Sequence, residues 1–333
     1  MFFNISKNLD KILDPYYKFH DYTVYLDKGW HRRTRNNCVE FVKGYASDFE
    51  TLDIPTNKRY SGNYCILSFS TKHFRIITDD TRGFPIYIHE NITNLIPNGK
   101  SIFWHQSVGF IDEVKILKNK FNNFEEKFST FTQIKDKVCD LFEKEIANFI
   151  KYNGTFTIPN TNGLDTLMLS AISGIKTQQT DKHYSDLREL ASQFYYAYRN
   201  IQSDSLAGTG YFGDSYMLRM QDNMSRYFNN LKIDISNAQG YMEPRSIKTS
   251  ECITKDQLLH RIYGETGAWH INDTITFTPF KHRNLPEIIV QLPIDILLSQ
   301  ATDGYLQKEI IKEYAPSLIK ELDKKKNTRT DCM

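Results

Sequence analysis

The hydrophobic period changes once along this chain, and that change limits the fold more than anything else in the sequence. In FTQIKDKVCDLFEKEIANFIKY, residues 131–152, the side chains of Ile134, Val138, Leu141, Phe142, Ile146, Phe149 and Ile150 fall on one helical face. Upstream the pattern is that of strands. YTVYLD (22–27), YCILSFS (64–70), FRIITDD (74–80) and FPIYIHE (84–90) are short runs of β-branched and aromatic residues between polar breaks. The breaks STKH and DTRG are hairpin-sized, so the last three runs are expected to form an antiparallel meander. A strand-rich part followed by a helix-rich part predicts an α/β chain of two domains, residues 1–120 and 121–333. A helical C-terminus is expected over 285–322, running into a basic tail.

Composition removes several function classes. The 333 residues suffice for two domains with a sizeable core, and 20 Tyr with 22 Phe argue against disorder. A net charge of +2, with both signs mixed throughout, indicates no nucleic-acid or membrane partner for the chain as a whole. Cys38, Cys65, Cys139, Cys252 and Cys332 are far apart and form no C-x-x-C pair. Neither structural zinc nor a disulfide framework is expected, and a cytoplasmic setting is. MFFNISKNLD does not read as a signal peptide, and no apolar run approaches the roughly 18 residues of a membrane span. The densest basic cluster, HRRTRNN (31–37), reads as a solvated loop, with phosphate-backbone binding as the alternative. Cys65, in a strand pattern, reads as a small core residue.

Two stretches carry chemistry. FTIPNTNGLDTLMLSAIS (156–173) reads as a strand, a turn of small polar residues, and a helix with an acid in its first turn. Backbone N–H groups and the positive end of the helix dipole converge at such a turn and favour an anion. Asp165 is placed to hold a magnesium ion bound to phosphate, and the Thr166 hydroxyl to donate to a phosphate oxygen. The plainer alternative is that Thr161 or Asn162 only caps the helix. DSLAGTGYFGDSYMLR (204–219) adds a second Gly-rich turn and a second carboxylate, Asp214.

In this order, Thr161-Asn162-Gly163-Leu164-Asp165-Thr166 resembles the S-G-G-x-D-S pyrophosphate loop of the asparagine synthetase superfamily, in a compact, phage-like form. Thr209-Gly210-Tyr211-Phe212-Gly213-Asp214-Ser215 resembles its S/T-G-x-G-x-D-E segment. TPFKHRNLPEIIVQLP (278–293) looks like the family's PF-x-D helix start with its following LP. LQKEIIKEYAPSLIKELDKKKN (306–327) looks like its K-x-x-L-R helix, which sets Lys308 in the place of the active-site lysine and Lys325 or Lys326 near the phosphates. YSGNYCILSFSTKHFRIITDDTRGFPIYI (60–88) is similar to the glutaminase half, through Asp80, Arg82, Gly83, Pro85 and Tyr87.

The resemblance implies an N-terminal class II glutamine-amidotransferase-like antiparallel β domain and a C-terminal ATP-pyrophosphatase-like α/β domain with a mostly parallel sheet. It implies ATP and Mg2+ as cofactors, with small-molecule carboxylate and amine substrates and a homodimer left open. Residues 161–166, Thr209, Gly210, Gly213 and Lys325 would bind the nucleotide, Asp165 and Asp214 the metal, and Lys308 the developing acyl–adenylate charge. Departures matter too. Position 2 is Phe where the family's glutaminases carry their cysteine nucleophile, so glutamine hydrolysis is not expected. Ser215 replaces a Glu, Asn162 a Gly, and the 49 residues from Asp165 to Asp214 are a short span for the family. These leave a non-catalytic nucleotide-binding module as the alternative. Tyr211 matches the β-lactam synthetase branch, where a Tyr acts with a downstream Glu; Glu243 is the candidate, with a wall tyrosine and a loop acid as the plainer readings.

Overall fold

The computed structural model describes residues 3–6, 17–20, 22–26, 29–57, 60–72, 74–80, 126–160, 163–178, 207–210, 212–219, 222–235, 251–264 and 276–319. Strands β1 (Phe3–Ser6), β2 (Tyr17–Phe19) and β3 (Tyr22–Leu26) form an antiparallel sheet in the order β1-β3-β2. Strands β4 (His31–Arg35), β5 (Cys38–Ala46), β6 (Gly62–Phe69) and β7 (Phe74–Thr78) form a second antiparallel sheet in sequence order. Alternation puts Phe41, Cys65, Leu67 and Phe69 on one face of the second sheet, where they pack with Phe19 and Val24 of the first. The intervening positions Val42, Tyr64 and Ile66 fill a core on the other face with Ile54.

The basic run expected as a loop is instead edge strand β4, hairpinned onto β5 through Asn36 and Asn37. Both asparagines have positive φ, 51° and 58°, the geometry of the two-residue turn that matches strand twist. The "NN" in HRRTRNN was the hairpin signal. Arg33, reading inward, is neutralised by buried Glu40 at 2.6 Å and donates to the Ile54 carbonyl at 2.8 Å. The β6–β7 half of the expected meander is present; its third strand, 84–90, and the domain boundary near 120 lie outside the described residues.

The second half is mostly helical. Helix α1 (Phe131–Asn153) starts at a capping box in which Thr130 and Gln133 bond each other's backbone N–H groups. Ile134, Val138, Phe142, Ile146 and Phe149 are buried along it as expected, whereas Ile150 at 38% is exposed and Glu145 is buried instead. Strand β8 (Ile158–Pro159) leads into α2 (Leu164–Ser173) and back to β9 (Thr177–Gln178), parallel to β8. Strand β10 (Ala207–Gly208) leads into α3 (Gly213–Tyr216) and α4 (Asp222–Asn230); α5 (Lys255–Gly264) follows, then β11 (Thr276–Phe277), parallel to β10. Gly208 N–H donates to Thr157 O at 2.8 Å and joins the two parallel pairs. Among the described residues these short pairs are the extent of parallel pairing. The fold is thus mixed α/β, an antiparallel N-terminal part before a largely helical one.

The expected C-terminal helix is broken among the described residues into α6 (Asn284–Ile289), α7 (Ile294–Asp303) and α8 (Tyr305–Tyr314), with a further helical turn at 316–319. Pro293 stands at the N-cap of α7, and Gly304, at φ 67°, turns the chain between α7 and α8. Helix α8 lays Leu306, Gln307, Ile310 and Ile311 inward, and it packs on α2. The two halves share a core: Tyr45 of β5 stands edge-on to Phe149 of α1, and its hydroxyl accepts from Thr278 N–H at 3.3 Å. No helix among the described residues is long and apolar enough to cross a membrane.

Candidate functional site

The two Gly–Asp stretches meet at the N-terminus of α2. Gly163 is its N-cap and has no capping side chain of its own, and Asp165 sits in the first turn. The second stretch is pressed onto it. A Cβ at Gly210 would stand 2.7 Å from Asp165 Cβ and 2.8 Å from Thr166 N. A Cβ at Gly213 would stand 2.7 Å from Asp165 Cβ and nearer still to its carboxyl group. The glycines are therefore what lets the second loop lie against the first acid.

The backbone of that loop is bent on both sides of α3. Phe212 and Leu218 have φ of 66° and 54°, a left-handed conformation that costs bulky residues about 1–3 kcal/mol each. The bend at Leu218 returns the chain, so that Arg219 N–H donates to Asp214 O at 2.8 Å and the Arg219 side chain folds back over the site. One nitrogen, Nη1, lies 3.1 Å from Asp165 Oδ2 and 3.0 Å from Asp214 Oδ1. Two carboxylates 49 residues apart thus share a single guanidinium nitrogen. The other oxygen of Asp165, Oδ1, accepts from Gln307 Nε2 of α8 at 2.5 Å. Gln307 is oriented by Gln300 of α7, whose amide also donates to Met217 O at 2.7 Å and whose carbonyl accepts from Leu306 N–H at 2.8 Å. Burial pushes the Asp165 carboxyl up to about 6; Arg219 pulls down, Asp214 pushes up, and Gln307 pulls down.

Leu164, Thr166 and Thr209 are buried around this centre, and Thr209 N–H donates to Phe277 O at 2.9 Å. Lys308, one residue from Gln307, directs its ammonium to Asp303, while Lys312 pairs with Glu309. Thr161, Asn162, Tyr211, Glu243, Lys325 and Lys326 lie outside the described residues. Arg219 and Gln307 were not singled out from sequence. Gln307 had a signal: with Ile310 and Ile311 it forms an i, i+3, i+4 set, so a polar residue stood on the apolar stripe. Arg219 had none beyond closing the Gly-rich stretch, because its return depends on the positive φ of Leu218.

Among the described residues no group of three or more His, Cys, Asp and Glu converges as a metal site. The pair Asp165 and Asp214 offers hard oxygen donors from two elements, the kind magnesium takes when phosphate and water fill its other positions. A scan against protein-family models finds no match for the chain, and a search of the curated proteins finds none either.

Proposed function

We propose that the chain is an ATP- and Mg2+-dependent ligase of the asparagine synthetase type, activating a carboxylate as its adenylate and passing it to an amine. The observation that carries this reading is the convergence of Asp165 and Asp214, from two separate Gly-containing turns, on one nitrogen of Arg219 at the N-terminus of α2. The finer fold assignments belong to the same proposal: a glutamine-amidotransferase-like N-terminal domain and an ATP-pyrophosphatase-like C-terminal one. Cys65, the buried strand cysteine, is no thiolate nucleophile, since burial and nearby Asp79 push its thiol well up.

In this reading the α2 N–H groups and the loop at residues 161–166 hold the β- and γ-phosphates. Magnesium, held by Asp165 and Asp214, would screen phosphate charge when bound. Gln307 fixes the rotamer of Asp165, and Arg219 is drawn from the two carboxylates toward phosphate oxygens, which match its forked donors. Lys308, on the helix that supplies Gln307, stabilises the charge that develops on the acyl–adenylate. Tyr211 with Glu243 would deprotonate the amine, and Lys325 would flank the phosphates. The substrates are a small carboxylate and ammonia or a small amine.

One observation favours a second reading, a nucleotide-binding module without turnover: Arg219 already neutralises both carboxylates. Pyrophosphate release from ATP, screened over a panel of carboxylates with ammonium as the amine, separates the two. Release that requires one carboxylate supports the ligase. ATP binding with no release for any carboxylate supports the module.

A further inference from the structure

A second polar cluster lies in the seam between the N-terminal sheet and α1, and nucleotide chemistry does not use it. Glu145, 4% exposed, faces the sheet from α1 and sets Oε1 against the hydroxyl of Ser47 in the turn after β5. That same hydroxyl lies 3.0 Å from the carbonyl oxygen of Ser61, which also accepts from Ser47 N–H at 2.9 Å. A hydroxyl has one proton, and a carbonyl only accepts. Ser47 can bond both neighbours at once only if it donates to Ser61 O while Glu145, as the neutral acid, donates to Ser47 Oγ. Asn148, one turn along α1, donates to Ser47 O and fixes the turn in place.

Among the described residues, the basic groups beside Glu145 are a neutral histidine and a lysine paired with Asp48. His282 Nε2 is 3.7 Å from Glu145 Oε1, but Asn284 N–H donates to His282 Nδ1 at 3.2 Å. Nδ1 is therefore an acceptor and the ring is neutral. Among the described residues the other groups facing Glu145 include Tyr45 of β5, Asp48 from the β5 turn, Asp80 from the end of β7, and Lys144 of α1, which pairs with Asp48 at the surface. Asp80 in turn faces Asp79, Ser61 at 3.3 Å, Lys281 and Arg283, and Arg283 N–H donates to Ser61 Oγ at 3.4 Å. Burial, with Asp48 and Asp80 adding to it against Ser47 and Lys144, pushes the Glu145 carboxyl up to about 8.

We propose that Glu145 is a proton-dependent clasp, which ties the N-terminal sheet to α1 as a neutral acid and lets the seam open when it ionises. The closed seam holds a proton that an opened, solvated Glu145 releases. A raised carboxyl in the closed state therefore means that closure is strongest in acid and weakens as pH rises toward about 8, then levels off. The opening equilibrium grows about tenfold per pH unit within that window.

Hydrogen exchange of the full chain tests this, read between about pH 6 and pH 8 and corrected for the chemical exchange rate. Amides of β5, β6 and α1 are expected to gain about tenfold in opening per pH unit, while α7 and α8 are not. Glu145→Gln keeps an N–H donor for Ser47 at every pH and is expected to remove that slope. Ser47→Ala, which removes the hydroxyl that Glu145 meets, is expected to open the seam more at every pH. A wild-type seam with no slope overturns the proposal. So does a slope that survives in Glu145→Gln, and Asp80→Asn would then show whether Asp80 is its source.

Discussion

Replacing Gly213 by Ala is the sharpest perturbation of the site, because local preference and tertiary contact pull in opposite directions. At the first position of α3 an Ala is favoured over Gly by about 1 kcal/mol of helix propensity. The added Cβ would, however, stand 2.7 Å from Asp165 Cβ and closer to its carboxyl group. Asp165 cannot yield cheaply, since Gln307 holds one oxygen and Arg219 the other. Overpacking costs about 1–3 kcal/mol, and weakening a hydrogen bond to a charged group about 1.5–3. Gly213→Ala is therefore expected to destabilise by about 1.5–5 kcal/mol net of propensity, read as a lower urea midpoint at unchanged slope. In an Asp165→Ala background, which removes the Cγ and both oxygens, the same change is expected to cost less than half as much. The reasoning is refuted if Gly213→Ala is neutral, or if the two changes add with a coupling below about 0.5 kcal/mol.

Arg219→Met strands two half-buried carboxylates and is expected to cost about 3–5 kcal/mol in urea unfolding, with Arg219→Lys losing less; equal losses would show that the shared nitrogen is not what matters. Lys308→Met is expected to lower pyrophosphate release by orders of magnitude with folding intact, and Lys312→Met far less; like effects would remove Lys308 from the catalytic reading. Burial pushes His282 down to about 4, so the unfolded chain binds the extra proton between there and about 6.5. Wild-type stability should therefore fall by about 3 kcal/mol relative to His282→Asn as pH drops through that window, and parallel curves would refute the neutral ring.

What could be read from the sequence was what local pattern encodes. Most of the α1 stripe, and the strand and helix on either side of the turn before Asp165, depend on spacing within one element, and they fold as read, Ile150 excepted. The HRRTRNN hairpin was hidden by its charge, although its inward arginine is matched by Glu40 across the β4–β5 pair. Glu145 broke the stripe of α1 because its partners, Ser47 and His282, are 98 and 137 residues away along the chain. Arg219 was illegible for the same kind of reason: an unfavourable φ at Leu218, set by packing, decides where its side chain goes.

Calorimetric titration of ATP into the full chain, with and without Mg2+, tests the central claim most directly, run beside Asp214→Asn. Asp214, the more exposed of the two acids, can lose its charge with the least effect on folding. Binding that needs Mg2+ and weakens at least about tenfold, or about 1.4 kcal/mol, in Asp214→Asn is the expected result. ATP binding that is absent from the folded wild type, or unchanged in Asp214→Asn, would contradict a nucleotide site at these two turns.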